Sequence, residues 1–206
     1  MLILSAGIYR SGSTWMFNVA RKLRPDAEVV KVHGPHEDRE CDMVLTSRRD
    51  PVTMMASLVR FGCKDPWHDL SESLRFYRHW SKHPKLAYDM SFEDMVADKP
   101  KTVRELATAL GSTMDPEEVL SMVEAMKPPP EGIDLITNLH WNHVTSDDPS
   151  STHPLTPDEI ARVKKINDGL LEEPLKMASL LKPTSASGDP RPDDDKWDCP
   201  GLARSP

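Results

Sequence analysis

The chain has 206 residues, 38% of them hydrophobic and 29% charged, which suits one domain with a sizeable core and excludes global disorder. Acidic residues outnumber basic ones 33 to 26, and the net charge of −7 argues against a general nucleic-acid binder while leaving room for a local basic pocket around one anion. The apolar run at 1–8 contains Ser5 and Gly7, is too short to cross a membrane and lacks the basic start of a secretory signal. Three widely spaced cysteines, Cys41, Cys63 and Cys199, match neither a disulfide frame nor a zinc site. The expectation is a cytoplasmic protein with reduced thiols, no metal and no membrane or nucleic-acid partner.

Residues 1–8 predict a buried strand ending in a glycine-containing loop. Met16, Val19, Ala20 and Leu23 then fall on one helical face. Further strands are expected at 28–32 and 43–47, and Asp50-Pro51 opens a helix with aspartate at the cap and proline at the first helical position. Segment 61–86 is rich in aromatics: Phe61, Trp67, Phe76, Tyr77 and Trp80. Such a series suits either the wall of an acceptor site or a helical core stripe. A fourth strand is expected at 85–90 and a helix at 101–110, with Val103, Leu106, Ala107 and Leu110 on one face and Gly111 as its stop. Asp115 to Glu118 has the form of a capping box before Val119, Met122, Val123 and Met126. Thr156-Pro157-Asp158-Glu159 opens the last helix, faced by Ile160, Val163, Ile166 and Leu170. Strands alternating with helices predict an α/β fold in three layers, a parallel sheet covered on both faces. The domain is expected over 1–182. Residues 183–206 hold five of the 19 prolines and five aspartates, and are expected to be a disordered tail.

The loop after the first strand carries the chemistry. Gly7 and Gly12 are separated by four residues, and the hydroxyls of Ser13 and Thr14 follow. This is the spacing of a loop whose backbone N–H groups hold a phosphate at a helix N-terminus. The nucleoside-triphosphatase version needs lysine where this chain has Ser13, and here the cation is Arg10, inside the loop.

Tyr9-Arg10-Ser11-Gly12-Ser13-Thr14-Trp15 resembles the Pro-Lys-Ser-Gly-Thr-Thr-Trp loop of the sulfotransferases that use 3′-phosphoadenosine 5′-phosphosulfate (PAPS). Three more segments resemble that family in order. Lys31-Val32-His33-Gly34-Pro35 is similar to Lys-Thr-His-x-Pro, Arg49-Asp50-Pro51 to Arg-Asp-Pro, and Phe92-Glu93-Asp94-Met95 to Tyr-Glu-Asp-Leu. The resemblance spans roughly residues 3–111. It implies a P-loop-like fold with PAPS as donor, a small-molecule or saccharide acceptor, and no metal. It also implies Arg10, Ser11, Gly12, Ser13 and Thr14 around the 5′ group, Trp15 stacked on adenine and Phe92 beside the base. Arg49 and Ser57, eight residues apart, would hold the 3′-phosphate.

For catalysis the resemblance implies His33 as the general base, a role its near-neutral titration suits, with His36 as a competitor. Arg10 and Lys31 would neutralise charge on the leaving phosphate. Trp15 can equally serve its helix core, and Arg48 is the less favoured of the arginine pair. The family's closing Arg-Lys-Gly loop has no match; the corresponding region holds His140 and His143, suited to donate to the nucleotide, to line the acceptor pocket, to pair on a metal or to act structurally. Two alternatives stand beside the sulfotransferase: a P-loop nucleotide kinase, and a nucleotide-binding interaction module without turnover.

Overall fold

The computed structural model describes residues 1–34, 40–141 and 155–169. Four parallel strands form one sheet in the order β2-β1-β3-β4: β1 (Leu2–Gly7), β2 (Glu28–Lys31), β3 (Met43–Arg48) and β4 (Leu86–Ser91). The seven helices among the described residues are α1 (Ser13–Leu23), α2 (Pro51–Phe61), α3 (Pro66–Trp80), α4 (Phe92–Ala97), α5 (Lys99–Leu110), α6 (Pro116–Glu124) and α7 (Pro157–Asn167). None is long and apolar enough to cross a membrane.

The two-residue alternation of β1 divides the core. Ile3 faces a cluster with Leu45, Met90 and the apolar sides of α1, α4, α5 and α6. Leu4 and Ala6 face the opposite cluster with Val44 and the apolar sides of α2, α3 and α7. Each fully buried aliphatic side chain contributes roughly 1.5–3 kcal/mol. A strand that must satisfy two cores reads as a continuous apolar run, which is why 1–8 shows no polar alternation. The expected three layers are therefore present, with helices on both faces of a parallel sheet.

The predicted helix faces hold. Met16, Val19, Ala20 and Leu23 are buried, as are Val103, Leu106, Ala107 and Leu110. Asp50 caps α2 by accepting from Thr53 N–H at 2.9 Å. The capping near α6 differs from expectation: Asp115 accepts from Glu117 N–H at 3.1 Å, and the reciprocal box is built by Thr156 and Glu159 at α7. Segment 61–86 resolves mainly into α3, whose Leu70, Leu74, Phe76 and Trp80 are core residues. Leu170, Cys199 and the expected tail at 183–206 lie outside the described residues.

β1 lies between β2 and β3, so the chain turns to one side after α1 and to the other before β3. Such a reversal opens a crevice at the carboxyl ends of the strands. Gly7 sits there. A Cβ at this position would stand 2.4 Å from both Ser13 Cβ and Ser47 Oγ. Replacing Gly7 with alanine should cost about 1–3 kcal/mol through overpacking, seen as a lowered urea midpoint; an unchanged midpoint would mean that β1, β3 and α1 are free to part here.

Candidate functional site

The loop 8–12 bends back over the end of β1 through two residues with left-handed backbone. Gly12 has φ 76° and forms the N-cap of α1, where a Cβ would stand 2.9 Å from Met95 Cε. Arg10 has φ 59°, a conformation that costs an L side chain roughly 1–2 kcal/mol. Two side chains hold Arg10 in place. Arg49 Nη1 donates to the Arg10 carbonyl at 3.0 Å, and Arg10 Nε donates to Ser57 Oγ at 3.0 Å. The loop floor is a hydroxyl pair: Ser11 Oγ and Ser47 Oγ share a 2.5 Å hydrogen bond, and Ser11 Oγ donates to the Ile8 carbonyl at 2.6 Å.

Three cations reach this turn from three segments. Lys31, the last residue of β2, donates from Nζ to Thr14 Oγ1 at 2.7 Å. Its burial lowers the ammonium to about 8. Arg49, just past β3, donates from Nε to Thr53 Oγ1 at 3.2 Å and lies over the Phe92 ring at 4.1 Å. Burial is the largest influence on Arg49 and brings its guanidinium down to about 10, with Glu93 opposing the shift and Arg10 and Arg60 adding to it. Arg10 lies over the Phe61 ring at 4.5 Å. Like charges and burial both oppose this gathering, and a negative charge placed among them would offset that cost.

His33 stands two residues beyond β2. Its Nδ1 donates to the Gly7 carbonyl at 2.7 Å, which makes Nε2 the basic nitrogen. The Tyr9 ring packs against the imidazole at a centroid distance of 4.9 Å, and Trp80 Nε1 donates to the His33 carbonyl at 3.0 Å. Burial, followed by repulsion from Lys31, lowers the imidazole to about 3, with the bond to Gly7 opposing.

The candidate residues thus divide. Arg10, Ser11, Gly12, Ser13, Thr14, Lys31, His33 and Arg49 meet at the crevice. Ser57 is fully buried behind Arg10, so it reaches a ligand only when Arg10 swings away. Trp15 packs against the α1–α5 core, and its indole N–H is buried without a hydrogen-bond partner among the described residues. Phe92 presents its ring to Arg49. Arg48 pairs with Asp89 at 3.3 Å rather than joining Arg49. His36 and His143 lie outside the described residues. Ser47 and Thr53, which flank the Arg49-Asp50-Pro51 signature, are not singled out for this site by sequence, and Phe61 is named there only within the aromatic series of 61–86. Among the described residues no three His, Cys, Asp or Glu side chains gather as metal ligands.

No protein-family model matches the chain, and no curated protein is significantly similar to it.

The electrostatics of His33 set a pH dependence. The folded chain keeps this imidazole neutral down to about pH 3, whereas an unfolded histidine protonates near 6.5. Between those values the unfolded state binds the extra proton, so stability falls as the pH falls. Urea unfolding across pH 3–6.5 should show this acid limb, and His33→Gln should flatten it; equal slopes for the two proteins would contradict a neutral, enclosed imidazole.

Proposed function

We propose that this protein is a sulfotransferase that takes a sulfuryl group from PAPS and passes it to a hydroxyl or amine of a small-molecule or saccharide acceptor. The observation that carries this reading is the convergence of Lys31, Arg10 and Arg49 on one strand–loop–helix turn, in a chain whose net charge is −7. Local cations against an acidic background suit a compact polyanion. The residues divide into two anion subsites. The backbone of loop 10–14, at the positive end of α1, with Lys31 beside it, suits the 5′ group. Arg49, with Thr53 and, once uncovered, Ser57, suits the 3′-phosphate.

PAPS supplies a sulfuryl group already joined to a phosphate leaving group. The protein then needs to hold charge and move one proton. Lys31 and Arg10 stabilise negative charge on the leaving phosphate. His33 Nε2 accepts the proton of the acceptor, while the Nδ1–H bond to Gly7 fixes the ring. In the ligand-free chain the imidazole is a weak base. Negative charge placed next to Lys31 removes the repulsion that His33 feels and raises its basicity.

The reading is tested by binding and turnover together. Without magnesium, 3′,5′-bisphosphoadenosine should bind roughly tenfold to a hundredfold tighter than AMP, the worth of one charged hydrogen bond. Arg49→Ala should erase most of that preference. Tight magnesium–ATP binding with no preference for a 3′-phosphate would instead indicate a P-loop nucleotide kinase. The preference without any transfer of labelled sulfate from PAPS would indicate a binding module.

Where transfer is seen, His33→Ala should lower turnover by roughly 10²–10⁴-fold and leave bisphosphate affinity nearly unchanged. Near-normal turnover in that variant would remove His33 from the chemistry.

A further inference from the structure

The segment after α6 returns to α1. Residues 132–141 form a small hairpin: Ile133 and His140 bridge in antiparallel fashion, Trp141 N–H donates to the Gly132 carbonyl at 2.9 Å, and Asp134 N–H donates to the Leu139 carbonyl at 2.9 Å. Its turn is fixed by Asp134 Oδ1, which accepts from the backbone N–H groups of Ile136 at 2.7 Å and Thr137 at 3.1 Å. The hairpin is tied to α1 by Asn18 Nδ2, which donates to the Thr14 carbonyl at 2.9 Å and the Thr137 carbonyl at 2.7 Å. Arg21 Nη1 adds a hydrogen bond to the Ile136 carbonyl. Between α1, α6 and the hairpin lies a cavity of about 320 Å³. That volume falls at the lower end of the roughly 300–1,000 Å³ typical of small-molecule sites.

The lining selects its occupant. Met114, Met122 and Met126 give an apolar wall, and their unbranched side chains adapt to a flat ring or a chain. The two charged residues of the lining, Arg21 and Lys22, are both positive, and Lys22 is exposed. Asn18 is the one buried residue of the lining, and its Oδ1 has no hydrogen-bond partner among the described residues. Both Nδ2 hydrogens already serve carbonyls, so turning the amide over would break two bonds to relieve one atom. A buried acceptor in this state is costly, and an N–H brought by a ligand removes the cost.

We propose that this cavity is a second binding site, for a small molecule that joins an apolar body to a carboxylate and one N–H. The body rests on the methionines, the carboxylate pairs with Lys22 and Arg21, and the N–H donates to Asn18 Oδ1. Oδ1 is covered in the ligand-free chain, so side chains of the wall yield as the ligand seats. The proposal goes beyond the sulfotransferase reading and does not rest on it, because no lining residue belongs to the crevice.

The probe is indole-3-acetate, titrated into the full chain and followed by methionine-methyl NMR. Two analogues run beside it: 3-methylindole, which lacks the carboxylate, and naphthalene-1-acetate, which lacks the N–H. Indole-3-acetate should shift the methyls of Met114, Met122 and Met126. It should bind about tenfold or more tighter than 3-methylindole and about twofold to tenfold tighter than naphthalene-1-acetate, the worth of a charged and of a neutral hydrogen bond. Lys22→Glu, at an exposed position, should keep the parent's urea midpoint, bind indole-3-acetate about tenfold more weakly and leave 3-methylindole unchanged. Silence at the three methyls at millimolar probe, equal binding of all three compounds, or parent-like binding by Lys22→Glu would each overturn the proposal. Shifts confined to Met90 and Met95, whose methyls face Gly12, would place the probe at the crevice and overturn it too. Methyl shifts that follow protein concentration with no probe present would give the cavity to a second copy of the chain, which also excludes the small molecule.

Discussion

Everything at the crevice depends on the close approach of three backbones at Gly7. The end of β1, the start of α1 and the end of β3 meet where a single methyl group would collide with Ser13 and Ser47. Because nothing projects from Gly7, Ser11 can descend onto Ser47, and its hydroxyl can anchor the loop to the sheet. The Gly7 carbonyl also receives His33. One missing side chain therefore sets the depth of the loop, the separation of two strands and the orientation of an imidazole.

Cation placement follows from that contact. Parallel strands deliver their carboxyl ends to one edge of the sheet, so Lys31 at the end of β2 and Arg49 after β3 arrive together without any local sequence relation. Phe61 and Phe92 accommodate Arg10 and Arg49 by offering ring faces to guanidinium groups, each worth about 0.5–2 kcal/mol. Burial first, and then charges of this cluster, hold the imidazoles of His33 and His140 below their ordinary range.

Much of the fold was legible because its signals are local. Asp50-Pro51 starts a helix by capping chemistry, and the 16, 19, 20, 23 spacing buries one face of α1 whatever packs on it. The loop was legible for the same reason: its glycine spacing reflects backbone that must curl within a few residues. The partners of that loop were harder. The family resemblance pairs Ser57 with Arg49, yet in the ligand-free chain it is Arg10, at a left-handed backbone position, whose Nε donates to Ser57 Oγ. Trp15 likewise reads as a ring for stacking, and the structure adds that it is half-buried against the cluster that holds the apolar sides of α1 and α5. The hairpin at 132–141 has no apolar periodicity to announce it. Its turn is made by one aspartate and its docking by one asparagine, and neither carries a pattern visible along the chain.

The resting partners of Arg10 have one more consequence. Its guanidinium is already engaged by a hydroxyl and an aromatic face, so an incoming anion competes with an intramolecular substitute. For Arg10 to turn toward the crevice, the newcomer must exceed what Ser57 and Phe61 together provide. Chloride or bicarbonate brings a single diffuse charge to that contest, whereas a phosphate or sulfate ester brings several oxygens that the loop, Lys31 and Arg10 can share. Under the proposed reading, the latch on Arg10 sets a threshold that a small monovalent anion meets less readily than a phosphate or sulfate ester.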